Sequence, residues 1–118
     1  MTPTQHEVLN FLPLTPAVFH IALALADGPR HGYGIAAEVA ARTNGAVHLG
    51  PGTLYGTLAR MTTAGLIEPV DLGPASDARE RRFHRLTDLG RAVAVAEARR
   101  LRQLVEIAAA KALFSDGR

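Results

Sequence analysis

One stretch limits what this chain can become more than any other: Leu49-Gly50-Pro51-Gly52-Thr53-Leu54-Tyr55-Gly56-Thr57-Leu58-Ala59-Arg60-Met61. Gly50 and Pro51 suit a helix start, because proline at the first helical position gives up an N–H that has no partner there anyway. Leu54, Leu58 and Met61 recur at i, i+4 and i+7 and make one apolar stripe for a core. Gly65 supplies the left-handed residue on which helices often stop. At about 100° per residue, Thr53, Gly56, Ala59, Arg60 and Thr63 point away from the stripe, with Tyr55 and Thr57 on its flanks. This outer face is small and polar and carries one cation. Gly56 in mid-helix costs about 0.5–1 kcal/mol relative to alanine, which the close approach of a partner's backbone would explain. Free first-turn N–H groups beside small hydroxyls also suit a phosphate. An ordinary amphipathic helix has the same periodicity, so its surroundings must decide.

The chain has 118 residues, enough for one domain with one modest core, and 47% of them are apolar. There is no cysteine, which removes disulfides, thiolate zinc sites and cysteine nucleophiles. No run approaches the ~18 apolar residues of a membrane span. No cationic segment precedes an apolar run near the N-terminus, so no secretory signal is expected. Cytoplasmic location is the expectation. Net charge is only +2, but the cations are unevenly placed. Up to Ala59 there are two Arg against three acids, whereas Arg79 to Arg102 holds eight Arg against Glu80, Asp88 and Glu97. Clustered guanidinium groups suit a polyanion, because the planar fork pairs bidentately with phosphate.

Residues 1–13 are weakly patterned. Val8, Leu9, Phe11 and Leu12 need cover, and the segment reads as an arm that packs on something, a second subunit among the options. Thr15 as N-cap and Pro16 at the first helical position open a helix to about Ala26. That helix is apolar nearly all round, with Ala17, Val18, Phe19, Ile21, Leu23 and Leu25, and His20 reads as a packed residue. Such a helix is buried on more than one side, and a chain this short favours dimerisation as the cover. Arg30-His31-Gly32-Tyr33-Gly34 reads as a turn into a helix that stops at Asn44-Gly45, and Ala46 to Leu49 as a very short strand. Gly32 to Ala37 fits the G-x-G-x-x-A dinucleotide pattern only formally, since no strand precedes it and no βαβ unit follows. Leu66–Leu72 and Arg79–Leu86, separated by Gly73-Pro74-Ala75-Ser76-Asp77, predict a β-hairpin with Pro69 at an edge or bulge. Thr87 caps a last helix from Asp88 to about Leu113, with a loose stripe of Leu89, Val93, Ala96, Leu101, Leu104, Ala108 and Ala112.

No catalytic constellation assembles. The five His lack the i, i+4 spacing of a helical zinc site, and there is no phosphate-binding G-x-x-x-x-G-K-[ST] loop and no G-x-S-x-G elbow. No enzyme, metal or cofactor is expected. Helix, helix, short turn, helix and basic hairpin is the order of a winged helix-turn-helix, in which the second helix of the turn motif reads the major groove and wing cations reach the flanking backbone or minor groove. The fold class expected is mainly α with a small β-hairpin. Residues 1–13 form an N-terminal arm, 14–86 the winged helix-turn-helix and 87–114 a C-terminal dimerisation helix.

Leu14-Thr15-Pro16-Ala17-Val18-Phe19-His20-Ile21, Gly32-Tyr33-Gly34-Ile35, Leu49 to Leu58, Gly65-Leu66-Ile67 and Arg81-Arg82-Phe83-His84-Arg85-Leu86-Thr87-Asp88-Leu89-Gly90 together resemble the PadR family of bacterial transcriptional regulators. The likeness runs from about residue 12 to residue 113. It implies a homodimer joined through the last helix and the N-terminal region, acting as a repressor at inverted-repeat operators in double-stranded DNA. It also implies relief by a small aromatic or drug-like effector, although the chain has no Trp to line a cavity for one. Family DNA contacts fall here on Tyr33, Thr53, Tyr55 and the wing arginines Arg79, Arg81 and Arg82; the outer face adds Gly56 and Arg60. Candidate dimer residues are Phe19, Leu23, Leu89, Val93, Leu101, Leu104 and Ala108. Phe83-His84 stands where the family often has two tyrosines, so any hydroxyl contact there is lost. A winged helix that binds another protein and no DNA is the alternative, and four Arg within Arg79–Arg85 favour DNA.

Overall fold

The computed structural model of the chain describes residues 2–71 and 82–114. Five helices and three strands follow in the order α1 (Gln5–Leu9), α2 (Pro16–Leu25), β1 (Arg30–His31), α3 (Gly32–Arg42), α4 (Pro51–Thr63), β2 (Ile67–Val70), β3 (Phe83–Leu86) and α5 (Asp88–Ala110). The helix starts obey local chemistry. The Thr15 hydroxyl accepts from the Val18 N–H and the Thr87 hydroxyl from the Gly90 N–H, each a cap worth about 1 kcal/mol. Pro16 and Pro51 occupy first-turn positions. Helix α4 stops as the sequence predicts, with Gly65 in the left-handed region at φ +81°. Its stripe of Leu54, Leu58 and Met61 is buried. These side chains meet Ile21, Ala24 and Leu25 of α2, Ile35 and Val39 of α3, Ile67 of β2 and Val93 of α5 in one core.

The expected hairpin is present, with strands shorter than predicted; Leu72 to Arg81, including the turn and both Arg79 and Arg81, lie outside the described residues. It is one part of a three-stranded antiparallel sheet in the order β1-β3-β2. Arg30 and His31, expected in a turn, pair instead with His84 and Phe83. Pro69 lies opposite His84 on the edge strand β2, where a missing N–H costs no ladder bond on the outer side.

Other expectations change. Ala46 to Leu49 forms no strand, because Thr43 serves that backbone: its hydroxyl accepts from the Val47 N–H at 3.0 Å and donates to the Val39 carbonyl at 2.8 Å. The arm contains α1, closed by reciprocal hydrogen bonds between Thr4 and Glu7, and it packs on α5 of the same chain with Val8 buried. Helix α2 is covered by α3, α4, α5 and β3, so its apolar circumference is met largely within one chain, leaving Leu23 38% exposed and Phe19 partly so. Val93 is likewise buried in the core and Leu89 packs against it, so these two dimer candidates serve the chain's own interior. Helix α5 ends at Ala110, short of Leu113.

Two polar contacts of α5 bear most on how it is placed. At its start, the Thr87 hydroxyl donates to the Gly65 carbonyl and the Thr87 N–H to the Leu66 carbonyl, and a Cβ on Gly90 would fall on that same Leu66 carbonyl oxygen. Further along, Glu97 is 2% exposed, accepting from the Leu14 N–H at 2.9 Å and from the Arg100 guanidinium through both oxygens. The Arg100 hydrogen bond, helped by Leu14, outweighs burial and holds the Glu97 carboxyl below its ordinary range. As pH falls, the unfolded chain therefore takes up this proton first, near the free value of about 4.3. The stability Glu97 contributes is full above that value and is lost as pH falls through the lower folded one. Glu97→Gln keeps the shape and removes the charge. By urea unfolding at pH 7 it should lower stability by about 1–3 kcal/mol, and it should flatten the acid limb of the stability profile below pH about 5. An unchanged profile would contradict the role given to Glu97.

Candidate nucleic-acid interface

The surface that carries the sequence candidates is assembled at the start of α3. His31 is the N-cap of that helix, and its Nδ1 accepts from the Gly34 N–H at 3.0 Å. The ring lies flat enough on the first turn that a Cβ on Gly34 would sit 3.4 Å from Cε1. A Cβ on Gly32 would sit 2.9 Å from Cε1 of Tyr55 and 3.1 Å from its hydroxyl oxygen. The Gly-Tyr-Gly and Pro-Gly-Thr-Leu-Tyr segments are thus in contact, and Gly32 makes room for the Tyr55 ring. Between them Tyr33 projects outward, 77% exposed. Tyr55 is 49% exposed, half clamp and half surface.

The wing joins the same surface. Phe83 of β3 meets His31 edge to face, with ring centroids 5.3 Å apart and planes at 87°, a geometry worth about 0.5–1.5 kcal/mol beyond area burial in aromatic pairs. The Tyr33 ring is tilted by 31° to the same imidazole, with centroids 6.5 Å apart. Arg82, the residue before β3, is exposed. Arg85 differs from it: its Nε donates to Glu68 at 2.8 Å across the sheet, so its charge is already matched. His84 alternates to the opposite side of the strand with Leu86. Burial lowers its pKa, which keeps the ring neutral near pH 7. It adds no cation to the wing.

On α4, Thr53, Ala59, Arg60 and Thr63 are exposed as the periodicity requires. Thr57 is not on a flank. It is 1% exposed, and its hydroxyl accepts from Arg60 at 3.2 Å. The Arg60 guanidinium consequently lies back along the helix, 3.4 Å from where a Gly56 Cβ would be, and it is the one group near that position. Among the described helices α4 alone starts without a side-chain cap, and a Cβ on Gly50 or Gly52 would meet nothing within 4 Å among the described residues. His20 is a packed residue whose carbonyl and ring meet Arg42. The residues that sequence reasoning missed are His31 and Phe83. Gly32 could have pointed to the Tyr55 ring, but nothing near His31 in sequence marks Phe83 as its partner.

The chain matches the sequence profile of the Transcriptional regulator PadR-like family over residues 21–96. It is 40% identical over 84 residues to an uncharacterized 37.1 kDa protein in transposon TN4556 of Streptomyces fradiae, covering 71% of this chain and 22% of that protein. It is 36% identical over 63 residues to uncharacterized protein X of Lysinibacillus sphaericus, covering 53% of this chain and 57% of that one. The chain thus spans less than two thirds of the length of either relative. A PadR family transcription regulator from Clostridium difficile superposes with TM-score 0.68 at 24% identity, over 80% of this chain and 95% of that one. RosR of H. salinarum gives 0.64 at 23%, over 89% and 98%. A transcriptional regulator from Clostridium thermocellum gives 0.66 at 17%, over 90% and 94%. Those three likenesses concern the fold; the profile match decides the family. The chain has a winged-helix fold and belongs to the PadR-like family of transcriptional regulators.

Proposed function

We propose that the protein is a homodimeric, ligand-responsive repressor that binds an inverted-repeat operator in the cytoplasm, on the nucleoid when bound. The observation that carries this reading is the meeting of Tyr33, the outer face of α4 and the wing root on one surface, through the Tyr55–Gly32 and His31–Phe83 contacts. In this reading α4 enters the major groove. Thr53, Tyr55 and Gly56 lie against base edges, and Arg60 swings from Thr57 toward the backbone. Tyr33 and the wing cations Arg79, Arg81 and Arg82 hold the flanking phosphates. A two-fold dimer presents two such helices one duplex turn apart, about 34 Å. The part of α5 beyond Arg100 supports dimerisation, since Leu104, Val105 and Ile107 are exposed there with Leu101 and Ala108 partly so. Leu23 and Phe19 extend the candidate interface. The effector is a small molecule.

Fragments of host genomic DNA retained by the protein supply the operator probe. Arg82→Ala should weaken operator and scrambled duplex alike and reduce the salt slope by about 1. Thr53→Ala should cost more on operator than on scrambled DNA, by about 1–3 kcal/mol for a lost base contact. Equal losses for both variants on both DNAs would overturn the division of roles, and retention of no DNA would favour a protein-binding winged helix.

Gly56→Leu separates surface from interior. Among the described residues only the movable Arg60 side chain borders the position, and leucine favours helix over glycine by about 0.8–1 kcal/mol. The melting temperature should hold or rise while operator binding is lost. A clear fall in melting temperature would contradict the outward placement. For the dimer, sedimentation at micromolar concentration should give two chains per particle, and Leu104→Glu should give one; a monomeric parent protein would contradict the proposal.

A further inference from the structure

A winged helix binds DNA through parts that are distant in sequence, and something must fix their relative angle. Here the sheet is narrow. Strand β1 contributes two residues, and the row His31–Phe83–Val70 is the last described one across the sheet before the wing's outer segment. Arg82 follows that row directly. One imidazole serves both sides of this junction. Its Nδ1 closes the first turn of α3 through the Gly34 N–H, which also sets the tautomer with the proton on Nε2. The same ring makes a T-shaped contact with Phe83 and lies near the ring of Tyr33. A cap alone needs only an acceptor, and a stack alone needs only a ring. Among the described residues His31 is the side chain that supplies both at this point.

We propose that His31 is a positioning residue for DNA binding. Through Phe83 it fixes the wing, and through Gly34 and Tyr33 it fixes the start of α3, so that Arg82, Tyr33 and α4 meet the duplex as one surface. The proposal rests on the DNA-binding reading above and requires no contact between His31 and DNA. It accounts for the ring chemistry at the site. The imidazole lies within van der Waals reach of a Cβ at Gly34. Phe83 is aromatic because it stacks.

Conservative variants separate the two roles. His31→Asn keeps a good capping acceptor and removes the ring. Phe83→Leu keeps an apolar residue and removes the stack, leaving the cap intact. The probe is a fluorescein-labelled 30-base-pair duplex of mixed sequence, titrated with the full chain at several salt concentrations. Circular dichroism in parallel fixes a temperature at which every variant is folded. His31→Asn should melt near the parent temperature, bind about tenfold more weakly at low salt, and show a slope of log affinity against log salt smaller by about 1, one phosphate contact fewer. Phe83→Leu should do the same, and the double variant should lose no more than either single one, because both break one coupling. A purely structural role would lower the melting temperature and leave the salt slope of the folded protein unchanged, and that result overturns the proposal. So do losses that add in the double variant, or unchanged binding by His31→Asn. Failure of the parent chain to bind the duplex at any salt overturns the DNA-binding reading itself.

Discussion

The Tyr55 ring rests on the bare Cα of Gly32, and the outward geometry of the molecule follows from that contact. A helix pair in a turn motif has its angle set by how closely the two can approach. With a side chain at residue 32, the Tyr55 ring would have to shift from its place between the start of α3 and the first turn of α4. With glycine there, Tyr55 serves both as a spacer between the helices and as half-exposed surface. Tyr33, the next residue, is then carried outward beside it. The His31 imidazole extends the same arrangement to the wing, since it lies over Gly34 and against Phe83. Helix α3, helix α4 and the sheet are thereby registered to one short segment of backbone.

The opposite end of α4 is fixed by different chemistry. Its terminating turn at Gly65 and Leu66 receives two hydrogen bonds from Thr87 and has the backbone of Gly90 pressed against it. Helix α5 therefore begins on the end of α4. Ten residues after Thr87, the buried Glu97 holds the Leu14 N–H at the start of the α2 segment. A displacement of α5 must move α4, α2 or both, because polar contacts and close backbone packing leave little slack between them.

Local chemistry made much of this readable from the sequence. Thr15-Pro16, Gly50-Pro51, Gly65 and Thr87 mark helix ends whose determinants lie within four residues, and each end falls where those residues place it. Pro69 marks an edge strand for the same reason. What was not readable is non-local. Strand β1 is too short to show a period, and its partner lies more than fifty residues away. Glu97 looks like one more solvated acid in an arginine-rich helix, and nothing near it in sequence announces the Leu14 amide. Thr57 falls on the margin of an apolar stripe, where helical periodicity alone does not decide which side covers it. Helix α2 called for a second subunit only because the cover that α3, α4, α5 and β3 give it cannot be counted from composition.

The central claim is that Tyr33, Tyr55 and the α4 surface between them form the face presented to DNA. The chain contains two tyrosines and no tryptophan, so 3-fluorotyrosine incorporation places fluorine labels at those two positions alone. Fluorine NMR of the labelled protein should show two resonances, which should both shift or broaden as a duplex retained from host genomic DNA is added. The change should saturate at the same stoichiometry as binding followed by fluorescence anisotropy on the duplex. If anisotropy reports saturable binding while both resonances stay where they were, DNA lies on another face and the account is wrong.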